Sequence, residues 1–309
     1  MDLPADYHAR PRSGAIALPY LLTSVVCSVL VSVLLKLMQR RGIDTAQGIA
    51  WNYLAASLLC FALLDPPLAA LARPDAPRAS LALLALLLPG IFLALSASVR
   101  AAGIVRTDIA QRMSLVLSLL AAFLWFGERA DPLRIAGLAL GVPAIVLLVL
   151  RPRAEPSVAA DTGWAGWALP LLVLVLAGYA GVDVLLKHIA AAGTPFAASL
   201  QAAFVAAFAV MMGVQAWRRV RHGVALTLPA LATGLLLGAL NFANILFYVK
   251  AHRALPDNPA VVFATMNIGV VLLGTLVGVF GFGERLGRLN LLAIPLAVAA
   301  IALIAAGLS

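Results

Sequence analysis

The chain has 309 residues, of which 63% are hydrophobic and 11% charged, with a mean hydropathy of +1.02 and a net charge of +9. A water-soluble domain carries about 25% charged residues and could not bury so much Leu, Ala and Val, so that class is excluded. The Lys and Arg residues fall in short gaps such as Arg40-Arg41, Arg151-Pro152-Arg153 and Arg218-Arg219-Val220-Arg221. There they meet lipid headgroups, and gaps this short build no duplex-binding face, so no nucleic-acid partner is expected.

A membrane-crossing helix needs roughly 20 mostly apolar residues. In chain order the apolar runs predict spans at 15–38, 46–64, 80–99, 107–126 and 133–150, then 164–187, 195–216, 226–249, 259–281 and 289–307. The first run is longer than a signal-peptide core and recurs later in the chain, so it reads as a retained span. Asp65-Pro66-Pro67 ends the second span, and Arg73-Pro74-Asp75-Ala76-Pro77-Arg78 cannot continue a helix. The widest break carries Pro152, Glu155, Pro156 and Asp161. It divides the chain into a first five-helix repeat at 1–152, a linker at 153–162 and a second repeat at 163–309. Cys27 and Cys60 fall inside apolar runs and read as buried free thiols rather than a disulfide framework.

The division rests on internal similarity. Residues 17–42 and 168–193 align without a gap at an offset of 151 and match at ten of 26 positions. The matches include Ala17-Leu18-Pro19 with Ala168-Leu169-Pro170, and Val33-Leu34-Leu35-Lys36 with Val184-Leu185-Leu186-Lys187. Phe126-Gly127-Glu128-Arg129 recurs as Phe282-Gly283-Glu284-Arg285. Apolar low complexity does not readily place a Lys at one depth and a Gly-Glu-Arg at both fourth-span ends. Five spans is an odd number, so the second half enters the membrane from the opposite side and the halves are inverted. The expected fold class is therefore an all-α integral membrane protein: ten transmembrane helices as two inverted five-helix repeats around a central cavity.

Ten spans in a five-plus-five repeat, with Lys36 and Lys187 late in the first span of each half and Glu128 and Glu284 closing the fourth, resemble the drug/metabolite transporter superfamily. The chain is most similar to its EamA-type bacterial exporters, from about Pro19 to Leu308. The resemblance implies a basket of helices around a cavity, alternating access, and export of small metabolites, amino acids or drugs. Many members carry an Arg early in the second span, where Trp51-Asn52-Tyr53 stands here.

An ionisable side chain at mid-bilayer costs roughly 2.5–3.5 kcal/mol, so it usually faces a cavity or a partner. Lys36 and Lys187 are candidates for contacting substrate, with snorkelling to the headgroups as the alternative. Asp183 sits one turn before Lys187, which suits an i,i+4 ion pair. It reads as the one carboxylate clearly inside a span, and so as the candidate for proton coupling. Asn241, Asn244 and Tyr248 share a face of the eighth span and can line a polar cavity or bond between helices. Gln111 and Arg112 in the fourth span and Asn267 in the ninth lie at related depths, with Arg112 the costliest to bury. Asn52 beside Trp51 completes the candidate substrate-binding set. Pro89-Gly90, Pro143 and Pro295 interrupt the helical ladder, as hinges or simply for packing.

Other classes find little support. His8, His188, His222 and His252 stand apart, without HExxH or paired-carboxylate spacing, so no catalytic site and no bound metal are expected. There is no Gly-rich phosphate loop and no cofactor signature. A translocator of a lipid-linked substrate is the rival within transport. The expected partners are a small-molecule substrate, membrane lipids and protons as candidate coupling ion, with the assembly left as monomer or homodimer. With both ends cytoplasmic, 9 of the 22 Lys and Arg lie on inner segments and 13 on outer ones, a mild lean the other way. The resemblance implies ends inside an inner membrane, and that orientation is adopted.

Overall fold

The computed structural model describes residues 11–126, 131–149, 164–255 and 259–306, and among these it holds helices and no strand. The first-half helices are α1 (Pro11–Arg40), α2 (Thr45–Leu64), α3 (Arg78–Ala102), α4 (Ile104–Phe126) and α5 (Pro132–Val149). The second-half helices are α6 (Ala168–Ala191), α7 (Phe196–His222), α8 (Leu228–Ala254), α9 (Pro259–Leu276) and α10 (Arg288–Ala306). Short 3₁₀ segments at Leu68–Ala72 and Trp164–Trp167 join some of them, and α9 runs on as a π-helix over Val277–Gly281.

Seven of the described helical stretches are long and apolar enough to cross a bilayer, and Pro132–Leu147 and Leu291–Ala306 are shorter apolar helices. Most of the sequence bounds hold to within a few residues, with α3 and α4 reaching closer together and α6 starting later than expected, while α7 and α8 run on well past their expected ends to His222 and Ala254. Residues 73–77 are irregular as expected, but Arg78, expected in the same loop, is the first residue of α3. α3, α5 and α10 continue through Pro89, Pro143 and Pro295. The linker at 153–162 lies outside the described residues.

Lipid is as apolar as the side chains, so packing here depends on close approach rather than on expulsion of water. α8 packs along both α1 and α2, α3 along α6 and α7, α4 along α6 and α9, and α5 along α10. The α2–α8 contact shows the device. Gly234 and Gly238, one turn apart on α8, meet Gly48 and Asn52 on α2. A Cβ at Gly234 would lie 2.5 Å from the Gly48 carbonyl oxygen, and one at Gly238 would overlap that of Asn52. The main buried cluster draws on both halves, with Tyr53, Phe92, Met113, Phe204, Leu237 and Phe242 among its large members. Outward faces are apolar, with Leu22, Leu58, Phe61, Leu124 and Leu236 exposed where lipid would cover them.

Because the obstacle at Gly238 is backbone, it cannot move aside as a side chain could. Gly238→Ala is expected to destabilise the protein by about 1–3 kcal/mol, read as a lower thermal unfolding midpoint in detergent.

Candidate functional site

α1 carries Ser24, Ser28, Ser32 and Lys36 at four-residue steps, which places them on one helical face. α4 runs antiparallel beside it and presents its N-terminus, Asp108 and Arg112 at the same step. Ser32 Oγ donates to Asp108 Oδ1 at 2.7 Å, and Arg112 Nη2 donates to Ser28 Oγ at 2.6 Å. Deeper along the stripe, Ser24 Oγ donates to the Asn244 carbonyl and side-chain oxygens, both at 2.9 Å. A ladder of polar contacts therefore follows α1 from Ser24 to Lys36.

The top of the ladder is closed by Glu284, which follows the π-helix. Its Oε1 accepts from the Ile104 N–H at 2.7 Å and its Oε2 from the Val105 N–H at 3.1 Å. The carboxylate thus caps α4, satisfying free N–H groups at the positive end of the helix dipole. Glu284 also forms an ion pair with Lys36, whose ammonium lies 4.6 Å from the Phe282 ring centroid. Gly103 makes the approach possible. It has φ +87°, and a Cβ there would sit 2.7 Å from Glu284 Oε2. One carboxylate from the second half thus ties together two helices of the first.

A second ion pair joins the halves at the same end of the bundle. Asp44 caps α2 by accepting from the Gln47 N–H at 3.1 Å, and it accepts from Arg218 Nη2 at 2.6 Å and Nη1 at 3.1 Å. Burial would raise the Asp44 carboxyl, but the Arg218 guanidinium and the Gln47 amide hold it below its ordinary range. Beside the pair a cavity of about 450 Å³ opens, lined by Arg41, Asp44, Gln47 and Thr227 among others. It shares no lining residue with the ladder.

Below the closed end, Arg112 forms the centre of a polar group drawn from several helices. Its Nη1 lies 3.4 Å from Asn267 Oδ1, a long contact. Its guanidinium is within electrostatic reach of Asp108, Tyr179, Tyr248 and Asp183. Arg112 is deep in the bundle yet only half-buried, as suits a group lining an internal space.

Of the residues singled out in the sequence, the structure brings Arg112 to Asn267, and Asn52 Oδ1 to Asn241 Nδ2 at 3.3 Å. Asn244 bonds Ser24, and Tyr248 stacks edge-on against His252 with centroids 4.4 Å apart. Asp183 and Lys187 lie on an exposed face of α6, and Gln111 is half-buried beside Arg112. Glu128, the counterpart of Glu284, lies outside the described residues.

One reading is corrected. Asp183 is not the only carboxylate set within a helix, because Asp108 lies a full turn inside α4 and is 2% exposed. The sequence reading set the helix start at 107 and so left Asp108 at the membrane edge. The Gly103 turn allows α4 to begin at Ile104 instead. The serines of α1 were also passed over, although their four-residue step is visible in the sequence.

The chain is similar to known proteins over most of its length. A model described as the EamA-like transporter family matches residues 15–150. A Haemophilus influenzae protein described only as uncharacterized is 40% identical over 286 residues, which is 91% of this chain and 95% of that protein. A solved crystal structure, 17% identical, aligns over 96% of both chains with a TM-score of 0.53, a likeness of fold.

A carboxyl held below its ordinary range adds stability above that range and loses it as pH falls through the lowered value. Asp44→Asn is therefore expected to cost about 1 kcal/mol at neutral pH. Unfolding midpoints of the variant and parent should converge as the medium becomes acidic enough to protonate Asp44.

Proposed function

Since the chain belongs to the EamA-like transporter family, part of the drug/metabolite transporter superfamily, we propose that it is a secondary active transporter exporting small organic solutes by alternating access. Metabolites, amino acids and drugs are the solute classes considered, and a bacterial-type inner membrane with both termini cytoplasmic is the setting. The observation that carries the reading is the closed end of the bundle. There Lys36, Glu284 and the N-terminus of α4 join the two halves, directly above a polar group that includes Arg112 and Asn267. A central site shut from one face by breakable polar contacts is what alternating access requires.

The packing pattern supports ten spans in two inverted repeats. Advancing each helix by five turns the α1–α8 contact into α6–α3, α2–α8 into α7–α3, and α1–α9 into α6–α4. The α2–α7, α4–α9 and α5–α10 contacts map onto themselves. If the halves exchange conformations, the face now shut by Lys36 and Glu284 opens while the other closes.

In this reading Arg112 is the principal substrate contact, since its guanidinium can accept an anionic or carbonyl group in place of Asn267. Asn267, Asn244, Asn241, Asn52, Gln111 and Tyr248 supply neutral polar contacts, and Asp183 the opposite charge. Lys36 serves the closure, and Lys187 is its counterpart in the second half.

Transport is tested in proteoliposomes with a panel of amino acids, organic anions and cationic drugs, with and without an imposed proton gradient. Flux of at least one soluble solute is expected, falling about tenfold or more in Arg112→Gln, the equivalent of one lost charge-assisted hydrogen bond. If no soluble solute moves, export of this class is refuted. The orientation is checked by a C-terminal reporter active only in the cytoplasm, which should light up.

A further inference from the structure

Asp108 is a buried carboxyl that the transport reading leaves without a role. It is 2% exposed, and its Oδ1 accepts from Ser32 at 2.7 Å. Its Oδ2 is shut away from the surface and has no hydrogen-bond donor among the described residues. That oxygen faces α9 at Gly274, where a Cβ would lie 2.5 Å from it, so any other residue would crowd it out. A carboxylate at this depth ordinarily has both oxygens satisfied. Here the backbone of the second half leaves room for one oxygen and offers it nothing.

Its surroundings say what such a position can do. Its own helix carries two cations, Arg106 two residues before it and Arg112 one turn further on. α1 presents Ser32, with Lys36 a turn beyond it toward the closed end. α6 presents Tyr179, and beyond the end of α9 stands Glu284, whose negative charge reaches Asp108. Glu284 is also the group that caps α4 and holds the end shut. A charged Asp108 therefore repels the carboxylate on which closure depends, and a neutral Asp108 does not.

We propose that Asp108 is the proton-binding carboxyl that couples proton movement to opening of the Lys36–Glu284 end. This deepens the transport reading and rests on it. One proton bonds to Oδ2 and turns the carboxylate into a neutral carboxyl, and no other bond forms or breaks. Protonation removes the repulsion and favours closure. Loss of the same proton to water on the opposite face restores the charge, weakens the Glu284 contacts and favours reopening. A proton taken up at the Lys36 end and released at the other end is thus exchanged for a solute leaving through the Lys36 end.

The test reads the closed end directly and needs no substrate. Ser98 on α3 is fully buried behind the closure and bonded to Thr107. In a Cys27→Ala, Cys60→Ala background, Ser98→Cys is labelled with a water-soluble maleimide from mildly acidic to mildly alkaline buffer. Rates are normalised to Leu228→Cys, an exposed position at the same end. Labelling of Ser98→Cys is expected to rise with pH by about threefold or more, a modest shift in population. Asp108→Asn should remain protected throughout, whereas Glu284→Gln should label readily throughout. Ser32→Ala, which keeps the carboxyl but removes its donor, should move the pH midpoint while retaining the amplitude. A parent without pH response, an Asp108→Asn variant that keeps it, or a Ser32→Ala variant with an unmoved midpoint would overturn the proposal. A pH response carried by Asp108 in a protein that moves no solute would instead overturn the transport reading and leave the proton site standing.

Discussion

Inside a bilayer a charged or hydrogen-bonding group has little water to turn to, and its partners must come from the protein. Glu284 shows how far one side chain can meet that constraint. Its two oxygens take the Ile104 and Val105 N–H groups of α4 and the Lys36 ammonium of α1. Those three groups would each be costly alone at that position. Because they meet at a carboxylate from the other half of the chain, the junction of the two halves and the end of α4 are stabilised together. Ser98–Thr107, Gln39–Ser96 and Asp44–Arg218 lie at the same end and reinforce it.

The contacts that fix the helices relative to one another are of two kinds. Where backbones approach, as at Gly234 and Gly238 against α2, packing is tight and leaves no room to slide. Along α1 and α4 the contacts are polar and spaced by one turn, each a hydrogen bond or ion pair that can be broken singly. The tight α2–α8 seam itself crosses from one half of the chain to the other, whereas the polar contacts beside it can be broken without disturbing that packing. The EamA-like chain places its replaceable contacts where α1, α4 and α9 meet, next to Arg112 and Asn267.

Much of this was legible in the sequence. Apolar run length gave the helices, because lipid demands a set number of residues whatever their neighbours. The matched Lys36 and Lys187, and the matched Glu128 and Glu284, were visible as repeats. The cost of burying Arg112 marked it as a residue with a purpose, and the structure sets it among polar groups from several helices. Asp108 was missed for a reason that is only partly local. Its helix start is set by Gly103 and the Glu284 cap, and the cap comes from 180 residues away.

What the sequence by itself determined was the class: a membrane protein of apolar helices, since hydropathy is a property of the chain alone. Only the tertiary structure decided which charges meet. That Lys36 pairs with Glu284, that Asn52 faces Asn241, and that one oxygen of Asp108 is left against Gly274 all depend on how the helices cross. Linear spacing sets which residues share a helical face. It does not set which face of a distant helix lies opposite, because that is decided by the packing of small residues and the joint satisfaction of buried polar groups.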